Sequence, residues 1–398
     1  MAINLVSEYE DSLVINHPLT QKLHKQPYQM CTTTVMDTSD PKITFDEKGI
    51  CNHVKKYQDY EKYHKLSPEA ANLKLEQIVD LLRKEGKGKD FDCIMGLSGG
   101  VDSSYMAYFV TKKLGLRALL VHVDTGWNSE LAVNNIQSIV QKLHLELHTL
   151  VIDWEEMKDL QLAFFKSSLS NLDIPQDHCF IASLYQEAKK YNIKYIMNGS
   201  NMATESILPA AWGYDASDAS HLLGIHKQFG SIPLKTYPTC NLFKTILYYP
   251  VIFGMKTITP LNYLEYNKFE AKKYLSDELG WRDYGGKHYE STFTKFFQAH
   301  YLPTKFGFDK RKAHLSSLIV SGQMTKNEAI LELKKPLYNP LELEEDRIYF
   351  AKKLGISIDE YYTIIGQTPT SYDRFPNNEW IRANIRKYLG KLNFLRRL

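Results

Sequence analysis

Short continuous apolar runs alternate along the middle of the chain with longer stretches of helical period. FDCIMGL (91–97), ALLVHVD (118–124), LELHTLVID (145–153) and KYIMN (194–198) are apolar on consecutive positions, as strands buried on both faces are. Between them, 102–114, 129–143, 154–168 and 178–191 carry apolar residues at helical spacing. Helix 102–114 is expected to stop at Gly115, and an earlier helix over 71–85 at Gly86, with Lys87 to Asp90 as a linker. The pattern predicts an α/β fold: a parallel sheet with helices on both faces. Residues 199–260, richer in Gly, Pro and Ser, read as loops lining a site, 261–279 as a return to helix, and the remainder as helical, ending in the basic pair Arg396 and Arg397.

These readings divide the 398 residues into a lead-in (1–30), a small Cys-containing module with a linker helix (31–90), the α/β domain (91–260) and a mostly helical C-terminal region (261–398) carrying a substrate- or phosphate-binding loop. Net charge is +3 on 49 basic and 46 acidic residues, too balanced for nucleic acid to be the main partner. Five widely spaced cysteines (Cys31, Cys51, Cys93, Cys179, Cys240) argue for a reducing compartment and against a disulfide scaffold. The opening MAINLVSEYEDSL lacks the basic and apolar segments of a signal peptide, and no uninterrupted apolar stretch is long enough to span a bilayer. A cytoplasmic location is expected.

The strongest chemical signal is Ser98-Gly99-Gly100-Val101-Asp102-Ser103-Ser104, between a predicted strand and a predicted helix. A loop in that setting aims backbone N–H groups and a helix N-terminus at the carboxyl edge of the sheet, where an anion binds. Gly99 and Gly100 allow close backbone approach, and the serines add hydroxyl donors. Asp102 is out of place beside phosphate unless a cation lies between them, so it is a candidate Mg²⁺ ligand. The GK[ST] ending of a Walker loop is absent, which excludes the kinase and GTPase reading. The bland alternative is a Gly-Ser turn with Asp102 at a helix start.

Gly199 and Ser200, after strand KYIMN, should reach the same edge, with Glu205 a second Mg²⁺ candidate. Asp124 ends its strand, placed for metal, ribose or substrate, or simply for a turn before Gly126. The stretch 285–314 concentrates His288, Glu290, Lys295, His300, Lys305, Lys310, Arg311 and His314; Lys295 and Arg311 are the favoured phosphate-binding and catalytic cations. Cys31 and Cys51 outline two C-x-x-C knuckles whose second members are Thr34 and Val54, leaving with His53 at most three zinc ligands.

SGGVDSS resembles the signature of the PP-loop ATP pyrophosphatases (adenine nucleotide alpha hydrolase-like), and GSNMATE resembles the second signature of their NAD-synthetase branch. That resemblance implies cleavage of ATP between the α and β phosphates, pyrophosphate in the loop, and adenine met by the backbone of Val121, His122 and Val123. The longer segments CTTTVMDTSDPKITFDEKGICNH, MGLSGGVDSSYMA, VDTGWNSELAVNNI, MNGSNMATESILP and KHYESTFTKFFQAHYLPTKFGFDKRKAHLSSLIVSGQMTKNEA are similar to the bacterial N-acetyl sugar amidotransferases (WbpG/PseA type) from about Met30 to Tyr338. This implies ATP-driven conversion of an acetamido group of a diacetamido sugar to acetamidino, for lipopolysaccharide or another surface glycan. Residue 2 is Ala, so no cysteine follows the initiator Met, and no glutaminase domain is recognised in the remaining length. A separate HisH-like glutaminase, with a HisF-like channel protein, is the expected ammonia source. The rival readings are a tRNA-thiolating PP-loop enzyme using Cys179 or Cys240, and a non-catalytic nucleotide-binding subunit.

Overall fold

The computed structural model describes residues 27–385. Most of the 1–30 lead-in, with Ala2 and the signal-peptide question, lies outside the described residues, as do Arg396 and Arg397. Five parallel strands form the central sheet: β1 (Cys93–Gly96), β2 (Ala118–Asp124), β3 (Leu147–Val151), β4 (Tyr195–Met197) and β5 (Lys256–Ile258), in the order β3-β2-β1-β4-β5. Four match the predicted apolar runs. The fifth falls in the stretch read as loops: it is an edge strand of three residues with Lys256 and Thr257 exposed, so no buried face writes a pattern into it.

Why the inner strands are apolar throughout is visible in their packing. Ile94, Leu119, Val121, Val123 and Ile196 enter one core, while Cys93, Met95, Leu120, Tyr195 and Met197 enter another on the opposite face. The second core is covered by α2 (Pro68–Glu85), α3 (Val101–Tyr108), α4 (Glu130–Leu143) and α9 (Lys268–Leu279), through residues such as Leu82, Met106, Ile139 and Leu275. The first is covered by α5 (Trp154–Ser167) and α6 (Ile174–Lys190). Each helix start has a local cause. Ser67, Ser129 and Asp153 accept the Ala70, Ala132 and Glu156 N–H groups as N-caps of α2, α4 and α5. α6 begins four residues before the predicted 178, at Ile174 with Pro175 at its second position.

The loop region 199–260 also contains α7 (Met202–Glu205), α8 (Ala219–Phe229) and a π-helical segment, Lys244–Ile252. Beyond α9 come α10 (Thr292–Phe296), α11 (Leu302–Phe306), α12 (Lys310–Val320), α13 (Lys326–Lys334), α14 (Pro340–Leu354) and α15 (Ile358–Gly366). Their anchor is aromatic: Phe350 packs 4.6 Å from Phe296 and 5.2 Å from Phe165 of α5, ring centroid to ring centroid. The small N-terminal module, followed by α1 (Asn52–Tyr63), rests on these helices. Met30 and Val35 meet Leu315, Ile330 and Leu333, and buried Asp37 pairs with buried Lys312.

Running outward from β1, the chain first builds β2 and β3 on one side, then β4 and β5 on the other. The turns after β1 and β4 therefore flank the point where strand order reverses, where open α/β sheets bind ligands.

Candidate active site

The turn after β1 is the predicted loop. Gly99 adopts φ +86°, and a Cβ there would come within 2.9 Å of the Tyr284 hydroxyl and 3.1 Å of the Ala132 carbonyl, so only glycine fits. Its carbonyl is fixed by Trp281 Nε1 (2.7 Å) and Tyr284 Oη (2.8 Å), both donating. Gly100 is the N-cap of α3 and donates its N–H to Ser98 Oγ at 3.2 Å, and Ser103 Oγ donates to the Gly100 carbonyl at 3.1 Å. The loop is thereby held before any ligand arrives. Val101 turns its side chain into the core and offers only backbone. Ser104, expected in the cradle, is fully buried, and its hydroxyl has no hydrogen-bond partner among the described residues.

The turn after β4 comes against this loop: a Cβ on Gly199 would lie 3.4 Å from the backbone of Asp102 and Ser103. Asn201 caps α7 through Thr204 N–H and donates its amide to Asp102 at 3.4 Å. Ser200 is exposed beside it. Asp102 also accepts the Tyr266 hydroxyl at 2.6 Å. Lys287 Nζ lies 2.8 Å from Glu205 Oε1 and 3.8 Å from Asp102 Oδ2, so both predicted metal ligands face one cation. Burial alone would raise the Glu205 carboxyl, but Lys287 and His288 hold it below its ordinary value. Two carboxylates sharing a cation on the flank of an anion cradle fit a divalent ion bridging to phosphate.

Asp124 accepts Gly126 N–H (2.8 Å) and the Asn128 amide (3.0 Å), so it does order the turn after β2. It also lines an open depression of about 320 Å³ with Gly126, Val151, Ile152, Trp154 and Lys353. Val123 is buried one residue before it.

The charged stretch 285–314 divides. His288, Glu290, Lys310 and His314 face the site. Glu290 Oε1 lies 3.4 Å from Ser98 Oγ, and the His288 and His314 rings are 5.6 Å apart. Burial lowers Lys310 and His314 below their usual values, although Asp173 and Asp177 oppose this at Lys310. Asp177 itself is exposed, yet desolvation and then Asp173 push its carboxyl up to about 7.

The two cations favoured from sequence are not brought to the loop. Lys295 Nζ pairs with Glu342 and Asp346, each at 3.3 Å, and lies over the Tyr338 ring. Arg311 is bound by Asp309 at 2.7 Å and by the carbonyls of Glu332, Leu333 and Lys335. Lys305 and His300 are likewise spent on Ser168, Ile364 and Tyr361. The cations that do reach the site are Lys287, Lys310 and Lys268; the last feels the field of Asp102 and is lowered to about 8 by burial and by Lys287. Lys287 stands within the KHYE string beside the residues nominated, but nothing local marks it as facing inward. Asn201 lies within the GSNMATE string but was not singled out there, and Tyr266, Asp173 and Asp177 had no sequence signal beyond residue type.

Two further readings, a zinc site and the rival sulfur transfer, find no support in the geometry. The cysteine module does not fit zinc: His53 is turned to Asp40 at 2.7 Å, Cys31 accepts the Cys51 N–H, and no group of three His, Cys, Asp or Glu able to hold a metal occurs among the described residues. Cys179 and Cys240, the thiols a sulfur-transfer enzyme would use, are both buried, and desolvation raises both, Cys240 to about 11.

Comparison with known proteins agrees with this geometry. Residues 74–208, spanning both turns, match the NAD synthase family, and residues 290–387 match the family described as LPS biosynthesis protein WbpG-like, C-terminal domain. The NAD-synthase-like part, with its loop at 98–104, is of the PP-loop ATP pyrophosphatase type. That part followed by a WbpG-like C-terminal domain gives the chain the WbpG-type arrangement. It is 28% identical over 165 residues to GMP synthase [glutamine-hydrolyzing] of Coxiella burnetii (strain CbuK_Q154), covering 40% of this chain and 29% of that protein. To the enzyme of the same name from Thermosipho africanus (strain TCF52B) it is 30% identical over 175 residues, covering 40% and 31%. The chain thus spans less than a third of the length of these relatives. Among solved structures, an NH3-dependent NAD synthetase from Campylobacter jejuni subsp. jejuni NCTC 11168 is 17% identical, with TM-score 0.30 over 77% of this chain and 99% of that one. No helix among the described residues is long and apolar enough to cross a membrane.

Proposed function

We propose that the chain is an ATP-dependent amidotransferase that converts an acetamido group of a diacetamido sugar, nucleotide-linked or sialic-acid-like, to acetamidino, for lipopolysaccharide or another surface glycan. The observation that carries this reading is that the phosphate loop and the Asp102/Glu205 pair face a wall supplied by the WbpG-like region and the segment leading into it (Lys287, His288, Glu290, Lys310). ATP enters as substrate and the wall supplies the second substrate's side.

In this reading Gly99, Gly100, Ser98 and Ser103 hold the pyrophosphate that leaves, and Asp102 and Glu205 hold Mg²⁺, which when bound neutralises phosphate charge. The acetamido oxygen displaces pyrophosphate from the α-phosphorus, giving an O-adenylyl imidate. An amide carbonyl is a poor electrophile, and esterifying its oxygen makes a leaving group. Ammonia adds at the carbon, its nitrogen gives up a proton, and the C–O bond breaks to release AMP carrying the sugar's oxygen. Ammonia comes from a partner glutaminase of the HisH-like type, through a HisF-like channel protein, and the reaction runs in the cytoplasm.

The test is to incubate the chain with ATP, ammonium and a panel of diacetamido sugars bearing heavy oxygen in the acetamido carbonyl. The expected products are pyrophosphate, AMP containing the heavy oxygen, and a sugar lighter by the difference between O and NH. Formation of ADP, or of unlabelled AMP, would remove this reading. The partner proposal adds that glutamine supports turnover only when the glutaminase is present.

A further inference from the structure

Lys287 and Glu290 have opposite charge, lie three residues apart, and each faces its electrostatic complement across the site. Lys287 Nζ is between Glu205 (2.8 Å) and Asp102 (3.8 Å), and is also 3.5 Å from the Thr204 carbonyl. Glu290 Oε1 is 3.4 Å from Ser98 Oγ and 3.0 Å from the place a Cβ on Gly100 would occupy, so it rests against the loop that would hold an anion. One short segment therefore puts an ammonium between the two carboxylates and a carboxylate over the phosphate loop.

The same segment runs between two fixed ends. On one side Trp281 and Tyr284 are tied to the Gly99 carbonyl. On the other, the Glu290 carbonyl accepts Ser129 N–H at 2.9 Å, Ser291 bridges to Asn128, and Thr292 N–H donates to the Trp127 carbonyl. Between them Gly285 has φ +77°, nothing lies within 4 Å of its Cβ position, and Gly286 follows. His288 has φ +64°, a left-handed backbone that a residue with a Cβ adopts only under constraint. Gly285 gives the Lys287 segment an unobstructed pivot, with Gly286 against the Tyr289 ring, whereas the Glu290 backbone is tied to Ser129 and its carboxylate meets Ser98 and, at 3.8 Å, His288.

We propose that residues 285–291 form a charge-matched plug, in which Lys287 holds the seat of the divalent cation and Glu290 the seat of a phosphate, and that Mg·ATP binds by exchanging with both. This rests on the assignment of Asp102 and Glu205 as metal ligands. A bare anion meets the Glu290 carboxylate, and a bare divalent ion meets the Lys287 ammonium; only the metal–nucleotide complex replaces both charges in one step. Released from the carboxylates, Lys287 stays tethered within reach of the phosphates that displaced it.

Binding to the full chain tests this without turnover. Calorimetry with α,β-methylene-ATP, with and without Mg²⁺, is compared for the parent, Glu290→Gln and Lys287→Met, and Mn²⁺ binding is followed by electron paramagnetic resonance. Glu290→Gln should bind the metal-free analogue more tightly, by about tenfold or more, as expected when a like charge beside an anion is removed. Lys287→Met should gain binding of Mn²⁺ alone. Hydrogen exchange of the unaltered chain, which needs no variant to fold, should show 286–289 exchanging faster and 98–104 slower when the Mg²⁺ complex binds. Unchanged or weaker metal-free binding in Glu290→Gln, or protection of 286–289 on loading, overturns the plug. Asp102→Asn separates the two claims. If it abolishes binding while Glu290→Gln gains nothing, the plug alone fails; if it leaves binding intact, the metal assignment fails with it.

Discussion

The loop at 98–104 and the stretch at 285–314 are both dense in polar groups, yet they relate to their sequences in opposite ways. In the loop the turn itself is made by local partners, with Ser98 receiving Gly100, Ser103 donating to Gly100 and α3 starting where the turn ends, while Trp281, Tyr284 and Tyr266 brace it from afar. In the stretch the partners that decide each charge's role are mostly distant. Lys295 goes to Glu342 and Asp346, Lys305 to Ser168 and Ile364, Arg311 to the end of α13, and only Lys287, His288, Glu290, Lys310 and His314 turn inward. A charged side chain's role is set by which counter-charge the fold brings to it, and that information is long-range.

The sharpest way to break this contrast is Asp102→Asn. The substitution keeps the shape and the Tyr266 and Asn201 neighbours but removes the charge that shares a cation with Glu205. Pyrophosphate release measured with saturating ammonium should fall on the order of 10²-fold or more, as when a main electrostatic group is lost from an active site, with the thermal midpoint little changed. A variant that retains full turnover would mean that the local loop is merely a well-formed turn.

The legibility of the chain follows the same division. Four strands and the helices between them were readable because burial on both sheet faces forces continuous apolar runs, as Ile94 and Met95 show by entering different cores. β5 was not, since an exposed edge strand of three residues has no face to mark it. The loop and Asp102 were readable because the turn and the start of α3 are written in seven residues, although Tyr266, Trp281 and Tyr284, which brace them, are not. Glu205 and Gly199 followed from the rule that strand ends share an edge. Lys287 was hidden in plain view, and Lys295 and Arg311 were chosen over it because residue type says nothing about distant partners. Asp173 and Asp177 are one helical turn apart at the start of α6, which begins before the expected 178, so the sequence pattern did not place them on a helix together.

Lys305 sharpens the comparison at a middle scale, because it lies in the same stretch but is wholly structural. Its ammonium is buried on Ser168 Oγ (2.8 Å) and the Ile364 carbonyl (2.7 Å), so Lys305→Met removes two charge-assisted hydrogen bonds, although both acceptors keep Gln367 as a partner. The variant should lose roughly 1–3 kcal/mol of stability near neutral pH, with turnover per folded molecule unchanged. Burial lowers this lysine from 10.5 to about 8, so the folded chain binds fewer protons than the unfolded one between those values. Stability contributed by the site therefore rises with pH through that window. The gap between parent and variant should widen from pH 8 upward when both are unfolded in urea. A gap that narrows instead would mean that the ammonium is not desolvated.

Lys295→Ala should give the smallest effect, and for that reason it most directly tests whether type or partner decides. Its side chain is about a quarter exposed, its two carboxylate partners are more exposed still, and its Nζ lies 4.7 Å from the centre of the Tyr338 ring. Partly exposed pairs of this kind are worth about 0–1 kcal/mol, and salt weakens them further. Thermal unfolding should shift by a few degrees at most, less at high ionic strength, and the KM for ATP should stay where it was. The residue is conspicuous in sequence, sitting amid FTKFFQAH between a glycine-rich turn and a helix, just where a phosphate-binding cation would be sought. If its loss raised the KM for ATP tenfold, the α14 carboxylates would have to release it when nucleotide binds, and the stretch at 285–314 would be one mobile phosphate wall, not a wall divided between the site and the scaffold.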